Sequence, residues 1–392
     1  MIKIFKYLLN LVGVDVNQIK EWGIRLQGHD IIYNVNHARH TRRCLMIYIT
    51  KPFYLRKIPL SHQNFWQAKE MARLIGEQGY IVDVIDYQDK HIILKYNYDM
   101  VAGLIPRGVD VFSSHMKPGC LRIAYLTSMN LEYTYNAEIK RLAELEMRRG
   151  VKLQPRRFAG YIQKEIEQFD AAWYIGNEYN FHSYDCFKMP PTFYIKNCGY
   201  SFSWAQSDCI KDPKIFLFFG SAGAVHKGLD LLLELFSEEI TDCTLYVCGG
   251  YILEQDFCNF YHKELFDTPN IISMGFVNIE SDIYRELSSK CTFSILPSCA
   301  EGCAGSVLTN MSSGIIPIVS KECGFEDDKV INLPDCNKET IKEYVRFYSC
   351  KDQKWIKKNS KRAINIVRDH YSKQNFSNSV EEALLAINKK QR

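Results

Sequence analysis

No stretch of this sequence reaches the roughly 20 consecutive apolar residues that a membrane-spanning helix needs. No two of the fourteen cysteines stand in a C-x-x-C pair, and Cys44, Cys243, Cys248 and Cys291 lie in or beside apolar, strand-like runs. That distribution describes reduced, packed thiols in a cytoplasmic protein and argues against a disulfide framework or a zinc site. Net charge is scarce as well: 49 Lys and Arg against 45 Asp and Glu leave only +4, too little to recruit nucleic acid by bulk charge. There is no D-x-D metal motif, since Asp327-Asp328 sits in a polar loop, and there is neither an internal repeat nor a low-complexity segment. Apolar residues, in contrast, are plentiful. At 46% hydrophobic and 13% aromatic, 392 residues suffice for two domains with substantial cores.

Short apolar runs alternate with helical periodicities, the pattern of an α/β chain. Cys44 to Thr50 and Tyr80 to Tyr87 read as strands. The helix between them is capped by Ser61, buries Ala68, Met71, Ala72 and Ile75, and ends near Gly79. A right-handed strand–helix–strand unit of this kind predicts a doubly wound N-terminal half. Further strands are expected at Asp99 to Pro106, Leu121 to Thr127 and Phe169 to Ile175, with an amphipathic helix over Glu138 to Arg149. The basic run from Asn36 to Arg43 reads as a solvated loop, and His115 as a surface histidine. A polar connector from Ser201 to Lys214, containing Asp212-Pro213, is the expected boundary. The domains are then 1–205, 206–370, and a final helix over 371–392, with Val380, Ala383, Leu384 and Ile387 on one face, that packs back on the first. Met1, Ile4, Phe5, Leu8 and Val12 also share a helical face beside Lys3 and Lys6. This reads as a retained helix packed on the domain, with a peripheral membrane contact through residues 1–12 as the second reading.

Two loops organise the second half. Ile215 to Phe219 is an expected strand, Gly220 to Gly228 a loop of small residues, and Leu229, Leu232, Leu233 and Phe236 then recur with helical spacing. Such a junction turns backbone amides toward an anion, and Lys227 adds a positive charge suited to a phosphate. The layout recurs where the strand Thr292 to Leu296 leads into Pro297-Ser298-Cys299-Ala300-Glu301-Gly302. Gly305, Ser306, Val307 and Thr309 then open a helix that Gly314 closes ahead of the strand Ile315 to Ser320. Strands at Leu245 to Cys248 and Ile271 to Met274 run directly into Gly249-Gly250 and Gly275-Phe276-Val277. Loops on one edge of one parallel sheet can hold the two ends of a nucleotide-linked ligand. In the N-terminal half His62, Asn64, Thr127, Ser128 and Asn177 fall at strand ends and helix starts and are the candidates for acceptor contacts. For His62 a helix-start hydrogen bond is the equal alternative.

Phe219-Gly220-Ser221, His226-Lys227-Gly228-Leu229-Asp230, Gly275-Phe276-Val277, Pro297-Ser298 with Glu301-Gly302, and Gly314-Ile315-Ile316-Pro317 stand in the order and spacing of retaining nucleotide-sugar glycosyltransferases. Over about residues 190 to 320 the chain resembles glycosyltransferase family 4, the glycosyl transferases group 1. The resemblance implies a GT-B fold: two Rossmann-like doubly wound parallel-sheet domains facing a cleft. It also implies a UDP- or GDP-sugar donor on the C-terminal domain and a glycan or glycolipid acceptor on the N-terminal one. Lys227 would compensate the diphosphate, and Glu301, first of a glutamate pair, would contact the transferred sugar. Gly220, Ser221, Gly223, His226, Gly249, Phe276, Val277, Gly305, Ser306, Val307 and Thr309 would complete the donor site. Transfer would retain configuration without a metal cofactor, in the cytoplasm or at the inner face of the membrane, in surface-polysaccharide assembly.

Three departures stand against that pattern. The second glutamate's position, eight residues on, is Thr309, so ribose recognition is weaker or rebuilt. The arginine usual after the first-loop glycine is Ser221, and Thr127-Ser128-Met129 occupies the strand end where many relatives carry a histidine. A catalytically inactive pseudotransferase binding sugar nucleotide or glycan is the alternative these departures leave open. A nucleotide-sugar epimerase is the other, and it needs more acid and base groups than the sequence places near the donor.

Overall fold

The computed structural model describes residues 31–89, 92–104, 110–157, 163–205 and 209–390. The helical face expected over Met1 to Val12 lies outside them. Two compact units divide the chain: residues 1–58 with 65–124, and residues 59–64 with 125–392.

In the first unit β2 (Arg42–Tyr48) runs parallel between β3 (Tyr80–Asp86) and β4 (Tyr98–Gly103), and β5 (Met116–Leu126) follows β4. A two-residue edge strand, β1 (Ile31–Ile32), pairs antiparallel with β3. Helix α1 (Gln63–Glu77) joins β2 to β3 and buries Ala68, Met71, Ala72 and Ile75, the positions its periodicity marks. The register sets Cys44, Leu45 and Met46 beside Met100, Val101 and Ala102. Apolar residues at successive positions are what a parallel strand covered on both faces requires. The basic run is only partly a solvated loop, because Arg42 and Arg43 already belong to β2. Arg43 Nη1 reaches the fully buried Asp83 Oδ2 at 2.7 Å, and the guanidinium lies 3.7 Å from the Tyr96 ring centroid. A buried carboxylate calls for such a counter-charge.

The second unit holds α2 (Leu131–Arg149), which starts earlier than its amphipathic stretch suggests because Asn130 caps it. Asn130 Oδ1 accepts from the amides of Glu132 and Tyr133 at 2.8 and 3.2 Å. Strands β6 (Ala171–Tyr174) and β7 (Thr192–Tyr194) are parallel neighbours, and Ile175 N donates to Leu126 O at 2.8 Å. The first sheet has the order β1-β3-β2-β4-β5-β6-β7.

The second sheet comprises β8 (Asp212–Gly220), β9 (Thr244–Gly249), β10 (Ile271–Gly275), β11 (Cys291–Leu296), β12 (Ile316–Ser320) and β13 (Ile331–Leu333). Its order is β10-β9-β8-β11-β12-β13, and every pairing is parallel. Strand order reverses on either side of β8, so the loops after β8 and β11 part at a topological switch point, where open α/β sheets bind ligands. Asp212 and Pro213 belong to β8 rather than to a free connector. β9 begins pairing only at Ile215, so Pro213 interrupts no ladder on that side. Helix α3 (Leu229–Glu238) is buried nearly all round, and α4 (Asp282–Lys290), α5 (Gly305–Ser312), α6 (Lys338–Tyr348), α7 (Gln353–His370) and α8 (Lys373–Lys390) are the longer helices that follow it. Ser379 of α8 accepts from Lys196 N at 3.1 Å.

Lys211, just before β8 and 3% exposed, donates Nζ to Cys291 O at 3.2 Å and to Gly314 O at 3.1 Å, tying the start of β11 to the turn after α5. Burial pushes this ammonium down to about 8. Between that value and its ordinary 10.5 the unfolded chain binds a proton that the folded chain releases. Stability therefore rises with pH across this window, by up to about 3 kcal/mol. Urea denaturation at several pH values should show that rise in the parent protein and a flatter profile in Lys211→Met. Equal slopes would show that this ammonium is not desolvated.

Candidate active site

The last residues of β8 and β11 carry two loops that are locked together. Gly228, ahead of α3, has φ +73°, and a Cβ there would lie 2.6 Å from Pro297 O. Only glycine meets both demands. Cys299 N donates to His226 O at 2.9 Å across the same junction. Gly220 leaves space for the Lys227 chain, since a Cβ would stand 3.0 Å from Lys227 Cδ. The chain turns at Gly249 against the backbone of Gly220.

Lys227 Nζ and Glu301 Oε1 form a direct ion pair, and Ser298 Oγ donates to the same oxygen at 3.0 Å. Burial resists ionisation of Glu301, but the charge of Lys227 foremost, and that of Arg157, hold the carboxyl down to about 2. His226 is 1% exposed. Burial first, then the charges of Arg157 and Lys227, bring its pKa down to about 3, so the imidazole is neutral. Its Nε2 is 2.6 Å from Ala300 O, which can only accept, so the proton sits on Nε2. Nδ1 then accepts from Cys299 Sγ at 3.3 Å, and the Cys299 thiol, pushed up to about 12 by burial, keeps the proton it donates.

The backbone of Glu301 is equally determined. Its N donates to Glu322 O and its O accepts from Met129 N, both at 3.0 Å. Asn180, fully buried, directs Nδ2 to Glu301 O, Gly302 O and Glu322 O at 2.9, 3.0 and 2.9 Å. A Cβ on Gly302 would strike Thr127 O, so the strand end Thr127-Ser128-Met129 lies against Glu301-Gly302.

Three charged residues went unread in the sequence. Arg157 Nη2 lies 3.4 Å from Ala222 O and would stand 3.0 Å from a Cβ on Gly223, which puts a guanidinium at the loop where Ser221 lacks one. Glu254, 6% exposed, accepts from Gly223 N at 2.6 Å and from Ala224 N at 3.1 Å, and Arg156 pairs with it at 3.3 Å. The Gly223 amide, expected to face a phosphate, is thus engaged by a carboxylate, while Ser221 and Ala222 remain exposed. The Arg156-Arg157 dipeptide was visible, but 65 residues separate Arg157 from Ala222 and no local pattern joins them.

Gly305 and Ser306 form the first turn of α5, and Val307 N is bonded to Ala304 O at 3.1 Å. Thr309 is 4% exposed. Its Oγ1 donates to Gly305 O at 2.9 Å and accepts from Gln63 Nε2 at 3.1 Å, so the hydroxyl faces protein. Phe276 is 73% exposed, whereas Val277 is packed with Tyr200, Leu217 and Tyr284. Of the acceptor candidates, His62 makes the helix-start bond, accepting from Asn64 N at 3.2 Å. Ser128 Oγ donates to Met129 O at 2.9 Å. Asn177 is committed at both ends, accepting from Asn180 N and donating to Phe325 O at 2.9 and 2.8 Å. Thr127, Ser128 and Asn177 gather about Glu301-Gly302 and Phe325, while His62 and Asn64 flank the Gln63 that reaches α5. Among the described residues no group of three His, Cys, Asp or Glu is placed to hold a metal ion, and no described helix is long and apolar enough to cross a membrane.

Two predominantly parallel Rossmann-like sheets with a charged site at the strand ends of the second define the GT-B class, and solved structures agree. Sucrose-phosphate synthase from Thermosynechococcus elongatus is similar with a TM-score of 0.62 at 12% identity, covering 89% of this chain and 100% of that one. Anabaena HepE in complex with UDP-glucose follows with a TM-score of 0.56 at 11% identity, covering 88% and 99%. TarM gives 0.52 at 11% identity, covering 74% of this chain and 54% of its own, so the chain spans about half the length of TarM. These likenesses establish the fold. Residues 213–343 match the family model of the glycosyl transferases group 1. No curated protein sequence matches the chain.

Asn180→Ala removes three bonds to carbonyls around Glu301, and a loss of about 2 kcal/mol or more in urea denaturation is expected. A change within error would show that the turn at Glu301 holds without this amide.

Proposed function

We propose that this protein is a glycosyltransferase that moves a sugar from a nucleotide diphosphate sugar to a glycan or glycolipid acceptor with retention of configuration, in surface-polysaccharide assembly. The observation that carries the reading is the ion pair between buried Lys227 and partly buried Glu301 at the ends of β8 and β11, inside the segment matching the group 1 family model. Lys227 and Arg157 would neutralise the diphosphate together with the amides around Ser221 and at Gly305 and Ser306. Fixed charge and dipoles of this kind assist departure of the diphosphate without reorganising, and turnover is expected to survive chelators. Glu301, ionised throughout the neutral range, would accept hydrogen bonds from hydroxyls of the transferred sugar. The departing phosphate oxygen can take the acceptor's proton, so no strong enzymic base is required. His226 serves this scheme by shaping the loop. A UDP-sugar is the first donor to test, because the similar HepE structure contains UDP-glucose. Cytoplasmic action, with peripheral contact through residues 1–12 where a lipid-linked acceptor is used, completes the reading and rests on sequence.

A pseudotransferase is the rival, favoured by the inward-facing Thr309 hydroxyl and by Glu254 on the loop amides. Thermal shift against UDP-, GDP-, ADP- and CMP-sugars, followed by hydrolysis and transfer assays, separates the two. One donor class should raise Tm and be hydrolysed slowly. Lys227→Ala should abolish both effects, and Arg157→Gln should weaken donor affinity by about tenfold or more. Glu301→Gln should keep binding but lose about 100-fold in turnover. Binding without hydrolysis or transfer to any acceptor would favour the pseudotransferase, and a donor converted to its epimer would favour the epimerase. No shift with any sugar nucleotide would overturn the transferase and the epimerase and would leave the pseudotransferase only as a glycan binder.

A further inference from the structure

Beside Glu301 lies a cavity of about 500 Å³, lined by Asn130, Tyr133 and Asn136 from the start of α2 and by Tyr179, His182 and Cys186 from the segment after β6. This volume falls within the range of small-ligand sites. Met129, also in its wall, donates its amide to Glu301 O at 3.0 Å, so the cavity adjoins the candidate active site. Three features specify its ligand. Tyr133 and Tyr179 are 41% and 44% exposed, and the Tyr179 hydroxyl is held by Glu322 Oε1 at 3.1 Å, which fixes that ring. Asn130 is 2% exposed; its Oδ1 caps α2, and its Nδ2 has no hydrogen-bond partner. Glu132 in the lining and Glu322 behind Tyr179 are carboxylates, and His182 is paired with Asp185 at 3.0 Å.

An anion would meet those two carboxylates without a free cation, and a fatty chain would leave the asparagine amides unsatisfied. Aromatic faces beside amide and carboxylate groups suit a neutral ring bearing C–H faces and hydroxyls. We propose that this cavity binds a neutral saccharide, the acceptor end of the transfer proposed above, on which reading the inference rests. Neither Tyr133 nor Tyr179 has a side chain in the core, so their removal should leave the fold intact.

Cys186 is exposed and lines the cavity, and it can report occupancy without turnover; Cys350 is also exposed and serves as internal control. The full chain would be alkylated with iodoacetamide and each cysteine followed by peptide mass spectrometry. The probes are the methyl α- and β-glycosides of glucose, galactose, mannose and N-acetylglucosamine, with cellobiose and chitobiose. At least one should slow Cys186 alkylation several-fold and leave Cys350 unchanged. Tyr133→Ala combined with Tyr179→Ala should remove that protection while leaving the thermal shift by UDP-glucose as it was in the parent. No protection by any probe, protection that persists in the double variant, or equal protection by a sugar-free polyoxyethylene detergent would overturn the proposal. A donor shift without Cys186 protection sinks the cavity alone. Protection without any donor shift upholds the saccharide site and counts against the transferase reading.

Discussion

The charged site of the second unit depends on setting a buried ammonium against a partly buried carboxylate. Lys227 and Glu301 come from loops 74 residues apart, and the buried ammonium needs the carboxylate as its counter-charge. The surrounding features answer that demand. Gly220 clears a channel for the lysine chain, Gly228 lets the two loops approach, Ser298 supplies a further donor, and Asn180 binds the carbonyls on both sides of the turn. A pair held this rigidly is organised before any ligand arrives, which is the condition under which fixed charge acts most strongly on a reacting group.

The same loop shows how charge has been redistributed. Ser221 places no cation beside Gly220, yet Arg157 brings one from a segment distant in the chain. Glu254 lies on the amides of Gly223 and Ala224 and is itself balanced by Arg156. The carboxylate satisfies buried amides that would otherwise lack partners and stiffens the loop. The cationic face is thereby left to Lys227 and Arg157. His226, neutral and bonded through both ring nitrogens, supports the arrangement without adding charge.

The α/β architecture was legible because its signals are local. Alternation of apolar strands with helical periodicity marked α1 through Ala68, Met71, Ala72 and Ile75 and marked α3 through its leucines. Glycines after β8, β9 and β10 marked the sheet edge, and the Lys227 and Glu301 loops stood out as strand-to-helix junctions. Boundaries were less legible where one hydrogen bond decides them. Asn130 starts α2 ahead of its amphipathic stretch, and Asp212-Pro213 enters β8 because Asp212 pairs with Cys291 of β11, on the side away from β9, which has not yet begun there.

By itself, the sequence determined most of the strands, the parallel second sheet and the two loops that carry the charged pair, since each follows from residues close together along the chain. Tertiary structure alone decided which charges share a site. It brought Arg157 to Ala222, Glu254 to the Gly223 amide, Gln63 to Thr309 and Asn180 to the Glu301 carbonyl, separations of 65, 31, 246 and 121 residues. Contacts of that range leave no periodicity or spacing in the sequence. They arise from how strand order and loop packing bring distant backbone together, and the electrostatics of the site follow from them.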